Sequence, residues 1–467
     1  MRQRSRTKAW VFVVLVLLLA VVGSVSYLAW RQSVPGVSAA APAPRALGHN
    51  ASFTVTLEAA RGNVRGAEVR LVQGGKPVTL ARLEGPPGPR VQLPVTVQAA
   101  ALGLKEGAAT LEVWGGDDFW RPLRSANRAL VSQPVTIDLT PPRLEILGAT
   151  RYVSPGGAVL VAFRAGDAAR VDVSVGPRVF PSFAYGPPDK GARIALIALP
   201  HDVAAGTPLA VTARDEAGNA ATRAVPAELR SRAFPRDTIT VSDALLQAKV
   251  PELLPQHPPS QPLVEGFLVI NRDQRRQAEE EKRKIGARTA EQPLWQGPFV
   301  QPRNTKVFSN FAETRTYVYQ GRPIDTQVHF GFDLASTKHS PVPAANAGQV
   351  AFVGPLTIYG NTVILDHGLG LQTLYAHLSS IDVKPGDKVD KGQALGRTGT
   401  TGLAVGDHLH FEVLVSGVSV TPIEWWDGKW IRDRINKPLK EAGLPEFAGL
   451  GEVPDEPAAP RPARRRR

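Results

Sequence analysis

The chain contains no cysteine. That absence excludes disulfides, thiolate metal ligands and a cysteine nucleophile, so any metal must be held by histidine and carboxylates. Acidic residues are missing from both ends: residues 1–31 carry five cations and residues 461–467 five arginines, with no Asp or Glu in either stretch. Setting those ten aside leaves 45 cations against 42 acids, so the net charge of +13 belongs to the termini and the body is close to neutral. A nucleic-acid partner is therefore not expected. At 467 residues the chain has room for about three domains of ordinary size.

Charge is also absent from Ala9 to Trp30, an apolar run of 22 residues that follows the basic segment 1–8. As a helix it would be about 33 Å long, enough to cross a hydrocarbon core of about 30 Å. Trp10, Tyr27 and Trp30 stand where interfacial aromatics belong, and the preceding cations favour a cytoplasmic N-terminus. The alternative, a signal peptide cut near Ser38-Ala39-Ala40-Ala41, fits less well because the run is long for an h-region and Arg31 interrupts it. The expected location is the cell inner membrane, single-pass through residues 9–30, with the body in the periplasm.

A Pro/Ala-rich linker is expected over 31–49. Short alternating runs then fill 50–140, such as S-F-T-V-T-L-E (Ser52–Glu58), broken by Gly and Pro, which indicates an antiparallel β-sandwich. D-L-T-P-P (Asp138–Pro142) marks a boundary, and a second strand set over 141–230 ends in D-E-A-G-N (Asp215–Asn219), which resembles the last hairpin of bacterial immunoglobulin-like repeats. Neither module gathers histidines or carboxylates, so both read as spacers or docking surfaces rather than catalysts. Residues 237–298 read as a helical connector: Ser242 is a candidate N-cap, Pro251 a stop, and E-E-E-K-R-K (Glu279–Lys284) a solvated helix face. The tail, 449–467, is expected to be disordered.

Histidine is unevenly distributed. Six of the nine (His329, His339, His367, His377, His408, His410) fall between 329 and 410. In G-D-H-L-H-F-E-V, Gly406–Val413, the period-2 alternation of a strand would put His408 and His410 on one face with Leu409 and Phe411 on the other. H-F-G-F-D (His329–Asp333) places an imidazole and a carboxylate near each other. A zinc site able to do chemistry needs about three protein ligands and one open position. His329, Asp333 and one histidine of H-L-H supply that number, leaving the other histidine free beside the metal.

Four blocks in order, H-F-G-F-D-L, Y-G-N-T-V-I-L-D-H-G-L-G-L-Q-T-L-Y-A-H-L (Tyr359–Leu378), the Gly-rich run Val383–Gly402, and G-D-H-L-H-F-E-V, resemble the lysostaphin-type, or LytM-type, zinc metallopeptidases over about 304–432. The resemblance implies an antiparallel β-fold with a groove, zinc (Zn2+) bound by His329, Asp333 and His410, and His377 and His408 as the catalytic histidines. It also implies cleavage of peptide bonds in peptidoglycan, with stem peptides as substrate. The sequence departs from the family just before H-L-H, where A-V-G-D (Ala404–Asp407) replaces a segment close to S-T-G-P, which bears on groove shape. Candidate substrate contacts are Asn361, Tyr317 and Arg315: Asn361 either holds substrate backbone or steadies its own turn, and the other two either meet an acidic stem peptide or pack. His367 reads as a structural hydrogen-bonder and His339 as a loop residue.

The whole is thus expected to be a mainly β, multidomain chain, with a membrane anchor, two β-sandwich modules, a helical connector and a C-terminal metallopeptidase domain. The competing reading is a non-catalytic relative that binds wall or activates a separate amidase; such proteins usually lose zinc ligands, and here none is lost. The anchor makes a direct prediction. Full-length protein stays with the membrane pellet through alkaline carbonate washing; release into the wash, or a mature N-terminus near Ala41, contradicts it.

Overall fold

The computed structural model describes residues 3–123 and 129–450, so all but the first two positions of the expected tail lie outside the described residues. Two compact units make up the chain, one mainly Met1–Pro142 and the other mainly the residues from Arg143 onward.

The first unit opens with a helix, Gln3–Ser33, whose stretch Lys8–Ser33 has a mean hydropathy of 2.8 and is not buried inside the protein. Part of the expected linker is strand instead. Val37–Ala40 pairs antiparallel with Asn50–Ala59, and Ala46–Leu47 pairs parallel with Val131–Ile137. The reason is local: alternate residues Val37 and Ala39 reach the core, which two apolar side chains at period 2 allow. A three-stranded and a five-stranded sheet enclose that core, built on Val55, Leu57, Val69, Leu71, Leu93 and Leu111. The D-E-A-G-N turn closes as its sequence suggests. The Asp215 carboxylate accepts the Asn219 N–H at 2.8 Å, and Gly218 takes φ +86°, a region open to glycine.

In the second unit, residues from Arg143 form two four-stranded sheets, and the strand Ala158–Gly166 lies between Arg143–Ala149 and Ala192–Ala198. The segment expected to be wholly helical begins as a strand. Arg236–Val241 pairs parallel with Glu313–Tyr319, which pairs antiparallel with Arg322–His329. Ser242 then caps the helix Asp243–Leu253, its Oγ accepting the Leu245 N–H, and the helix runs two residues past Pro251, which forfeits only its own bond to the preceding turn. Leu263–Val269 and Arg275–Gly286 follow, joined by a π-helical turn at Ile270–Gln274.

The C-terminal domain is an eight-stranded antiparallel sheet in the order Lys306–Ser309, Phe332–Ala335, Leu409–Val415, Leu371–Ala376, Asn361–Asp366, Gly348–Pro355, Lys388–Val389, with Val418–Val420 paired onto Leu409–Val415. Its central strands Leu371–Ala376 and Leu409–Val415 are buried at every position. Connector helices cover one face through Val250, Phe267 and Ala278 against Ile364, Leu374 and Leu414. This explains the lack of polar alternation in L-Q-T-L-Y-A and H-F-E-V-L-V.

Glu424, in the short helix Pro422–Trp426, ties this domain to the strand Ala158–Gly166 of the same unit by accepting the Ala158 N–H at 2.9 Å. Burial raises its pKa from 4.5 to about 8, against the pull of Ala158 and of the Arg232 and Arg434 charges. A carboxyl whose folded pKa is raised contributes stability below the unfolded value and loses it as pH rises through the folded value. Thermal stability should therefore fall from about pH 4.5 to about pH 8 on this group's account, and Glu424→Gln should flatten that slope. An unchanged slope in thermal melts of the variant would remove Glu424 as its source.

Candidate metal centre and active site

Sheet register brings the motif residues together across 81 positions of sequence. Asp333 pairs directly with His410 across the antiparallel ladder, and Ala376, immediately before His377, pairs with His410 from the other side. His329 ends its strand opposite Glu313 and reaches the same point. The glycine of H-F-G-F-D has a steric reason. A Cβ on Gly331 would stand 2.7 Å from His410 Nε2 and 2.6 Å from the Phe411 carbonyl, so only glycine leaves the His410 ring in place.

Three atoms converge: His329 Nε2, Asp333 Oδ1 and His410 Nδ1 stand 3.0, 3.0 and 2.9 Å from one another. All are buried. The other nitrogen of each imidazole fixes its tautomer. His329 Nδ1 faces the Asn310 carbonyl at 3.0 Å and His410 Nε2 faces Glu412 Oε1 at 2.9 Å; both oxygens can only accept, so both nitrogens carry the proton. In the neutral imidazoles the converging nitrogens are then bare lone pairs beside a carboxylate oxygen. Three acceptors with no donor between them repel one another unless a cation lies among them. A tetrahedral zinc with bonds of about 2.0–2.2 Å sets its donors about 3.3 Å apart, close to the observed triangle. An oxygen behind each ligating histidine is the arrangement that holds such rings at a metal. The donor set fits zinc.

His377 and His408 flank the triangle. Their rings are 4.8 Å apart between centroids, and His377 is 5.7 Å from His410. His377 Nδ1 faces the Thr401 carbonyl at 2.8 Å and His408 Nδ1 the Gly406 carbonyl at 2.7 Å, so each carries a proton on Nδ1. His408 Nε2 lies 3.5 Å from Asp333 Oδ1. Burial first, and then the neighbouring rings of His408 and His410, push the His377 pKa well below the ordinary histidine value, leaving it neutral. Its backbone is left-handed at φ +62°, a conformation costing a non-glycine residue of order 1–3 kcal/mol. Bonds from its own N–H to the Tyr359 carbonyl and from Nδ1 to Thr401 hold it there.

A cavity of about 400 Å³ opens over these groups. Tyr317 and Arg315 line it, but Arg315 is occupied: Nη2 donates to Asp333 Oδ2 at 2.8 Å and Nε to Glu313 Oε1 at 3.0 Å. Tyr317 is buried against Phe267, 5.7 Å between centroids. Asn361 is not among the lining residues; its Nδ2 donates to the Leu378 carbonyl next to His377. His367 bonds the Ala347 carbonyl and Thr373 Oγ1 within the fold, and His339 sits in a loop. The A-V-G-D departure acts as a brace. Asp407 accepts the Thr398 hydroxyl at 2.5 Å and the His339 N–H at 3.2 Å, while Val405 projects 81% exposed at the rim.

Sequence reasoning passed over Glu412 and the connector. Glu412 was legible: two residues beyond His410 in one strand, it must share that face. Ile239, Leu245, Phe267 and Arg275 of the connector line the cavity, and no local pattern announces that. The charged run Glu279–Lys284 is not wholly a solvated face, since Lys282 is completely buried.

Residues 327–422 match the description Peptidase family M23. This part of the chain is an M23, or LytM-type, peptidase domain. M23 peptidases are zinc metallopeptidases. The DD-carboxypeptidase/endopeptidase Mpg of Neisseria meningitidis is 39% identical over 97 residues, 21% of this chain and 22% of that protein. The peptidoglycan DD-endopeptidase ShyA of Vibrio cholerae is 36% identical over 121 residues, 26% of this chain and 27% of that protein. The chain thus spans about a quarter of the length of these relatives. A zinc-containing peptidase structure from Vibrio cholerae is 32% identical with a TM-score of 0.25, covering 28% of this chain and 40% of that one.

If the triangle is the metal centre, full-length protein in detergent binds about one zinc per chain, the stoichiometry of a single open site. His410→Ala should lose most of that occupancy, and Gly331→Ala should weaken it by displacing the His410 ring. Metal analysis after dialysis checks both; full zinc in His410→Ala removes that residue from the ligand set.

Proposed function

We propose that the protein is a membrane-anchored zinc metalloendopeptidase that hydrolyses peptide crosslinks of peptidoglycan on the periplasmic side of the inner membrane. The convergence of His329 Nε2, Asp333 Oδ1 and His410 Nδ1 carries this reading, with His329, Asp333 and His410 as metal ligands. Zinc bound there would polarise a carbonyl and supply a nucleophilic water near neutral pH.

The remaining work falls to this chain's own groups. With Nδ1 held by carbonyls, His377 and His408 each offer Nε2 as a base toward the attacking water. As the water oxygen bonds to the scissile carbon, its proton passes to an imidazole. That imidazolium then donates its proton to the leaving nitrogen as the C–N bond breaks, giving the departing amine and a carboxylate, while the other imidazole steadies the oxyanion. Arg315 holds the second oxygen of Asp333 and orients the first. A stem peptide filling the cavity would meet Tyr317, Phe308 and the connector wall, with Arg315 at its base and Asn361 steadying the His377 turn from outside.

The apolar helix supports anchoring, since 26 residues from Lys8 to Ser33 suffice to span. The β modules, read as immunoglobulin-like, would serve as spacers or as docking surfaces for division or wall-synthesis proteins.

Digestion of purified peptidoglycan by the full-length protein, with products identified by mass, tests the reading. Wild type should release crosslink-derived fragments, and chelation should stop it. His377→Ala and His408→Ala should keep zinc and fold yet lose about 10²- to 10⁴-fold in rate, the usual worth of a proton-transfer group. A zinc-loaded protein that sediments with the wall and cuts nothing would replace the endopeptidase reading with that of a wall binder.

A further inference from the structure

Behind His410 lies a buried polar network that begins outside the family-matched segment. Glu412 and Lys282 are both fully buried, and Lys282 Nζ stands 2.9 Å from Glu412 Oε2. Lys282 comes from the connector helix Arg275–Gly286, 130 residues away in sequence. The same ammonium reaches Tyr359 Oη at 3.0 Å, Ser419 Oγ at 3.2 Å and Glu279 Oε1 at 2.6 Å. Glu412 Oε1, its other oxygen, accepts from Tyr359 at 2.6 Å and from His410 Nε2 at 2.9 Å. A single carboxylate thus takes Lys282 and the Ser419 hydroxyl, at 2.6 Å, on one oxygen and Tyr359 and His410 on the other, with Lys282 its only cation among these partners.

A buried carboxylate without a cation is costly, and one free to rotate would lose its hold on His410. We infer that Lys282 is a positioning residue: by pinning Glu412 it fixes the orientation and tautomer of His410, so the connector helix completes a metal centre that residues 327–422 cannot complete alone. This rests on His410 being a ligand. The backbone supports so close a seat for the helix. A Cβ on Gly286 would lie 2.3 Å from the Gly417 nitrogen, and one on Gly417 2.4 Å from the Lys282 carbonyl, so helix and the hairpin carrying Ser419 meet glycine to glycine. The charge of Lys282 is therefore delivered by a tightly docked backbone.

The test measures zinc affinity by chelator competition, and the visible spectrum of the cobalt-substituted protein, on the full chain in detergent. Variants are Lys282→Met, Glu412→Gln, the double variant and, as control, Lys284→Met, whose side chain is 72% exposed on the same helix. Lys282→Met should weaken zinc binding about tenfold to a hundredfold, the range seen for groups behind a ligand, and should alter the cobalt spectrum; Lys284→Met should do neither. Because both groups act through one contact, the double variant should bind no more weakly than Glu412→Gln. If Lys282→Met alone does not fold, the charge-balanced double variant against Glu412→Gln still decides: equal affinity and spectra support the inference, and a further tenfold loss overturns it. His410→Ala separates the two levels. Retained zinc there defeats the ligand assignment itself, whereas zinc lost in His410→Ala but bound normally by Lys282→Met defeats only the positioning role.

Discussion

Two imidazole nitrogens and a carboxylate oxygen converging to about 3 Å form the constraint on which the C-terminal domain depends. With both imidazoles neutral, a cation among them is what offsets their mutual repulsion. Everything around them supports that arrangement. The ladder puts Asp333 opposite His410, Gly331 clears the ring, and Arg315 takes the outer oxygen of Asp333. Carbonyl and carboxylate oxygens behind His329 and His410 take the outer N–H of each ring, so the neutral imidazoles turn their lone pairs inward.

The same device serves a different end one layer out. His377 and His408 also donate Nδ1–H to carbonyls, and both rings line the cavity, with His408 Nε2 3.5 Å from Asp333 Oδ1. Two imidazoles separated by one leucine in sequence, His408 and His410, thus differ in which nitrogen is held and by what: a backbone carbonyl at Nδ1 in one, a buried carboxylate at Nε2 in the other. The proposed division between metal binding and proton transfer follows from hydrogen bonding, not from residue type.

The site was more legible in the sequence than the fold that supports it. H-x-H at period 2 and H-x-G-x-D with its forced glycine are local patterns, and strand alternation turns them directly into geometry. Glu412 followed the same alternation and was open to the same reading. Lys282 was not. Its run of mixed charges looks like a solvated helix face, and only the docking of that helix on the sheet strips it of water. Arg236–Val241 was hidden for a related reason, since a strand added in parallel from far upstream leaves no turn to mark it. The Pro/Ala stretch was misread because an edge strand needs only two apolar side chains in step, a pattern too short to separate from linker.

Anomalous scattering at the zinc edge from crystals of the full-length protein tests the central claim most directly. The account predicts one peak among the described residues, bonded to His329 Nε2, Asp333 Oδ1 and His410 Nδ1, with His377 and His408 unbonded to it. A metal ligated through His410 Nε2 or by His377, or no peak in the triangle, would contradict it.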